Sequence, residues 1–97
     1  MLKHSSKHAF AEVIINMKAP EQKGVFCLYD NKEDVVFIGE AESSLRTTLK
    51  QFRANRRAGI LMYSAEVVSD PKTRSQELIR GYKEMYGQLP LYNQSSN

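Results

Sequence analysis

Arg46, Lys50, Arg53 and Arg57 recur at helical spacing. At about 100° per residue they share one helix face, and such a row can grip phosphates spaced along a nucleic-acid backbone. Arg and Lys are also good helix formers with long solvated stems, so an ordinary surface is the competing reading. His4 and His8 stand one helical turn apart, as paired metal ligands do, but no Cys, Asp or Glu completes a set and they read as solvated histidines. Cys27 alternates with Val25 and Tyr29 along a strand-like run. It reads as a small buried hydrophobe rather than a nucleophile. Glu77 is the best-placed acid for chemistry on the last helix, with Arg74 and Arg80 as its ion-pair alternatives.

The elements that must hold these residues follow from local signals. Ser5 or Ser6 caps a first helix running to Met17, with Phe10, Val13, Ile14 and Met17 as its apolar stripe. Ala19-Pro20 ends it, because the residue before proline is pushed out of the α region. Two apolar runs, 24–30 and 35–39, flank the polar segment 31–34 and predict a hairpin. Their near-continuous apolarity implies a sheet covered on both faces by helices. Ser43 or Ser44 caps a second helix that ends near Asn55 or Arg57, with Leu45, Leu49 and Phe52 as its core seam. A third strand spans 60–68. Asp70-Pro71 then starts a last helix through Tyr86 with Leu78, Ile79, Tyr82, Met85 and Tyr86 inward, and Gly87 closes it.

Composition bounds what this assembly can be. At 97 residues the chain is one domain. Hydrophobic content of 41% excludes a disordered chain. A net charge of +3 is compatible with a nucleic-acid partner. The single cysteine excludes an internal disulfide and fits a reducing compartment. No apolar run reaches the roughly 20 residues of a membrane span, and Glu12 breaks the apolar stretch after Lys3 and Lys7, so neither a membrane anchor nor a signal peptide is expected. The expected location is the cytoplasm.

Gly24-Val25-Phe26 and Phe37-Ile38-Gly39, the capped helix after Gly39, and the ending Leu89-Pro90-Leu91-Tyr92-Asn93 together resemble the GIY-YIG nuclease family. The resemblance implies an α+β fold, a small three-stranded antiparallel sheet flanked by helices over 21–97; the extra N-terminal helix (1–20) lies outside the resemblance and is expected to pack on that domain. In that family two tyrosines, an arginine and a metal-holding glutamate supply nucleophile activation, charge stabilisation and Lewis-acid assistance. Here Phe26 and Phe37 take the tyrosine positions, and a phenyl ring has no proton to exchange. Thr48 takes the arginine position. Arg46 is a possible substitute but lies roughly 200° away around the helix. Glu77 is the possible metal ligand, although strict register places Ser75 there. Gly24, Gly39 and Asn93 match the family's structural positions.

Two functions follow as expectations. One is a catalytically degenerate module that binds DNA or RNA through Arg46, Lys50, Arg53 and Arg57, or that binds a protein partner or a second copy through the N-terminal helix. The other is a divergent endonuclease requiring Mg²⁺ or Mn²⁺, with Tyr29 or Tyr63 supplying a hydroxyl, Arg46 the cation and Glu77 the metal ligand.

Overall fold

The hairpin forms where expected, and one carboxylate organises its turn. Asp30 Oδ1 accepts from the backbone N–H groups of Lys32 and Asp34, each at 2.9 Å, so a single side chain satisfies two loop donors. The computed structural model describes residues 6–55 and 59–94. In chain order the elements are β1 (His8–Ala9), α1 (Glu12–Lys18), β2 (Gly24–Tyr29), β3 (Val35–Ala41), α2 (Leu45–Ala54), β4 (Met62–Val67) and α3 (Pro71–Tyr86), followed by a 3₁₀ turn at Leu91–Asn93. The fold is α+β.

The sheet runs β1-β4-β2-β3 and every pairing is antiparallel. Strand β2 is central and all of its residues are buried, as its unbroken apolarity requires. Phe26 and Leu28 join a core with Leu45 and Leu49 of α2 and Ile15 of α1. Val25, Cys27 and Tyr29 face the other way, against Leu78, Ile79 and Tyr82 of α3. Alternation along one strand thus serves two cores.

The sheet has four strands among the described residues, which corrects the expectation of three. The added strand comes from the segment expected to begin the first helix. Its two residues pair with Tyr63 and Met62, and the Phe10 N–H donates to the Leu61 carbonyl at 2.9 Å. These bonds give partners to the edge of β4, which outweighs one extra turn of a short helix with a costly nucleus. Helix α1 therefore starts at Glu12, behind Ala11, which offers no side-chain cap. Ser6 precedes the strand, and Ser5 and His4 lie outside the described residues. The buried positions shift accordingly. Phe10, Ile15 and Ala19 enter the core, while Val13 and Met17 are 65% and 69% exposed.

Helices α2 and α3 begin as their caps dictate. Ser44 Oγ accepts from the Thr47 N–H at 3.1 Å, and Asp70 accepts from that of Thr73 at 3.2 Å. Gly87 closes α3 with φ at 80°. Leu78 is buried and Ile79 and Tyr82 pack beside it, but Met85 and Tyr86, expected inward, are exposed. Helix α3 simply outruns the sheet it covers. Gly81 sits in the exposed middle of α3, where nothing lies within 4 Å of an added Cβ. A helix-interior glycine costs about 1 kcal/mol relative to alanine, and no close approach accounts for this one.

Cys27 is wholly buried between β2 and α3, and burial pushes its thiol up to about 12. Only a thiolate attacks disulfide reagents, so the native thiol should be inert. An aromatic disulfide reagent at neutral pH is expected to label Cys27 only as fast as the protein unfolds, and at once in denaturant. Prompt labelling without denaturant would refute the burial of β2.

Candidate functional site

The two glycine-bearing tripeptides meet across the β2–β3 ladder, with Phe26 opposite Gly39 and Leu28 opposite Phe37. Helix α2 lowers Phe52 onto them. Ring centroids lie 6.0 Å apart for Phe26–Phe37, 5.3 Å for Phe26–Phe52 and 5.1 Å for Phe37–Phe52. Gly39 makes room for this cluster, because a Cβ there would lie 2.5 Å from Phe26 Cζ and 2.6 Å from Phe37 Cε2. At Gly24 a Cβ would overlap the Glu66 carbonyl and lie 2.8 Å from Leu45 Cδ1. Both glycines are therefore required by close approach rather than by backbone torsion.

Phe37 and Phe52 form one wall of a cleft of about 300 Å³, completed by Leu28, Ile60 and Tyr92, with the amides of Gln51 and Asn55 at its side. No carboxylate, imidazole or amine lines it among the described residues. Phe26 is buried behind this wall. Aromatic faces beside amide groups can stack a flat ring and meet its polar edge; Phe37 and Phe52 have no proton to exchange, and among the described lining residues the Tyr92 phenol is the one hydroxyl. The sequence reading placed Phe52 in the core seam and missed Gln51, Asn55 and Tyr92. Gln51 lies on α2, Asn55 is the residue that caps its C-terminus and Tyr92 lies in the 3₁₀ turn, and the facing of each depends on tertiary packing.

The expected cationic row has a different use for two of its members. Arg46 Nε donates to the Ala19 carbonyl at 2.9 Å, and its Nη1 pairs with Glu21 at 2.6 Å. Arg53 Nε donates to the Phe10 carbonyl at 3.0 Å. The arginines thus tie α2 to both ends of α1. Lys50 is half-buried on the same helix, and Arg57 lies outside the described residues. Thr48 is half-buried, so the position that the resemblance assigns to arginine carries a short hydroxyl.

No protein-family model and no curated protein matches the chain.

The opposite sheet face carries the acids. Glu40 and Glu66 flank Val25 in register on the neighbouring strands. Ser75 Oγ donates to Glu40, and Arg74 bridges Glu66 at 2.8 Å and Glu77 at 3.3 Å. Glu77 is therefore an exposed ion-pair partner. Sequence reading missed Glu40 because it ended the strand at Gly39, whereas β3 continues to Ala41. Among the described residues no group of three or more His, Cys, Asp or Glu side chains is arranged to hold a metal. The Tyr29 hydroxyl is bonded to Ser64 Oγ at 2.7 Å, and that of Tyr63 is buried without a partner. Neither lines the aromatic cleft. Burial raises both phenols above their ordinary range.

Asn93 joins the tail to the sheet with both ends of its amide. Its Oδ1 accepts from the Ile38 N–H at 2.8 Å and its Nδ2 donates to the Ile38 carbonyl at 3.0 Å. One side chain thereby satisfies two groups on the free edge of β3. Among the described residues no helix is long and apolar enough to cross a membrane.

Proposed function

We propose that this chain is a GIY-YIG-like module without phosphodiesterase chemistry that binds single-stranded nucleic acid. The observation that carries this reading is the aromatic cleft, where phenyl rings stand at both family tyrosine positions and, among the described residues, no carboxylate, imidazole or amine lines the wall. The paired tripeptides, with β2 between β3 and β4, support the scaffold half of the proposal. Unstacked bases lie on Phe37, Phe52 and Tyr92, and Lys50, about 200° from Phe52 around α2, meets phosphates of the strand beyond the cleft. Stacking on an aromatic face tolerates any base, so recognition is by strandedness more than by sequence.

The donor set does not fit the Mg²⁺ or Mn²⁺ of an active family member. Glu77 is engaged by Arg74, strict register puts the hydroxyl of Ser75 at the ligand position, and Arg46 is committed to α1 and Glu21.

Fluorescence anisotropy with labelled single-stranded DNA and RNA oligonucleotides tests the proposal. Binding should weaken as salt rises, because phosphate contacts release counterions. Phe52→Ala is expected to lower affinity about 5- to 150-fold, the range for losing one stacked base. Lys50→Glu should lower it about tenfold and flatten the salt dependence. Supercoiled plasmid incubated with Mg²⁺ or Mn²⁺ should stay intact. Absence of oligonucleotide binding, or nicking that Glu77→Ala abolishes, would overturn the reading.

A further inference from the structure

A second groove of about 700 Å³ runs on the other side of the molecule, between α3 and the β2–β3 turn. Its apolar surface includes Leu78 and the exposed Met85, with the Tyr82 and Tyr86 rings tilted at 43° to each other and their centroids 4.5 Å apart. Gly81 contributes no side chain at all. Glu33, Asp34 and Glu77 line the groove; among the described residues Lys7 pairs with Glu33 and Arg74 with Glu77, which leaves Asp34 outside any ion pair, in a chain whose formal net charge is +3. The acidic charge is therefore local, and opposite in sign to the whole.

Lys7 shows how this groove treats a cation. Its ammonium lies 4.8 Å from the centroid of the Tyr29 ring and 3.0 Å from Glu33. A ring face and a carboxylate together form a site for an alkylammonium or guanidinium group. Asp34 and Asp30 also bear on Tyr82, whose phenol is raised first by burial and then by Tyr86 and these acids. Glycine in an exposed helix interior sacrifices stability without a packing reason, and such breaches of local preference concentrate at functional sites. Any longer side chain at position 81 would project into the groove.

We infer that the groove between α3 and the β2–β3 turn docks a basic amphipathic segment of a partner protein, its apolar side chains laid on Tyr82, Met85 and Tyr86 and a Lys or Arg head held by Asp34. Gly81 keeps the floor open for close approach. The acidic lining selects against nucleic acid, so this surface is independent of the aromatic cleft.

The test uses the full chain and a fluorescein-labelled peptide of Leu and Lys at helical spacing, beside the same peptide with glutamate in place of lysine. The basic peptide should bind and the acidic one should not. Gly81→Gln removes a helix-interior glycine, so it is expected to raise the thermal midpoint by roughly 2–4 °C. The same variant should weaken peptide binding at least tenfold, so lost binding cannot be blamed on misfolding. Asp34→Lys should weaken it as well, whereas Lys50→Glu should leave it unchanged. Gly81→Gln should in turn leave single-strand binding unchanged, which separates this surface from the proposed nucleic-acid site. Wild-type peptide affinity in Gly81→Gln, or equal binding of the acidic peptide, would overturn the inference.

Discussion

Gly24→Ala is expected to lower the thermal midpoint by roughly 12–24 °C, the largest change any small side chain should cause in this chain. The added methyl would overlap the backbone carbonyl of Glu66 and press on Leu45, which is itself fully buried. The carbonyl cannot retreat alone. Glu66 lies opposite Val25 in the β2–β4 ladder, so moving it opens pairings beside the centre of the sheet. Overpacking of a tight site usually costs about 1–3 kcal/mol, and an immovable backbone partner puts this case at about 3 kcal/mol. That is a large share of the roughly 5–15 kcal/mol that stabilises a small domain. Gly39→Ala should be milder, because the methyl meets the far ends of two rings rather than backbone: the half-buried Phe37 can turn toward the cleft, while the buried Phe26 must shift within the core. Thermal melts followed by circular dichroism would rank the pair. A Gly24→Ala midpoint close to that of the unsubstituted chain would mean that the strands do not approach as described.

These two glycines also show what the sequence could and could not convey. Their place in the tripeptides was legible, but the reason each must be glycine lies in Glu66, Leu45, Phe26 and Phe37, which are brought close only by the tertiary fold. Most signals that act within a few residues were legible: of Ser43 and Ser44 the cap is Ser44, and Asp70, Pro71 at the first helical position and the left-handed Gly87 stand where expected, whereas α1 starts behind Ala11 rather than Ser5 or Ser6. The hairpin was legible because Asp30 and its polar turn sit between two apolar runs. Strand β1 was not, since two residues cannot display a period of two and its partners lie more than fifty positions away. The inward phase of α1 failed for the same reason: Phe10 and Ala19 fix it from outside the helix. Arg46 and Arg53 looked like a phosphate-binding row because their carbonyl partners on the N-terminal segment carry no side-chain signature. Backbone acceptors are invisible to residue type.

Asn93→Asp exchanges one amide nitrogen for an oxygen, and its consequences should depend on pH. The Ile38 N–H keeps an acceptor, but the Ile38 carbonyl loses its donor and faces a carboxylate oxygen. Ile38 is buried, so water cannot replace the lost bond. An unsatisfied buried carbonyl costs about 1–3 kcal/mol, and repulsion by the new charge places this variant at about 3 kcal/mol or above near neutral pH. Protonation restores the geometry, because a carboxylic acid donates through its hydroxyl as the amide does through its nitrogen. The folded state therefore raises the carboxyl's pKa above the ordinary value of about 3.9 in the unfolded chain. A group raised in this way contributes its full stability below the unfolded value and loses it as pH climbs through the folded one. The deficit of Asn93→Asp relative to the unsubstituted chain should accordingly shrink on acidification, whereas Asn93→Ala, which leaves both Ile38 groups unpaired and adds no titrating group, should show a deficit that pH does not move. Denaturant midpoints of the three proteins across the acidic range would decide the matter. Parallel pH curves for the aspartate and alanine variants would mean that the amide nitrogen of Asn93 does not hold the β3 edge.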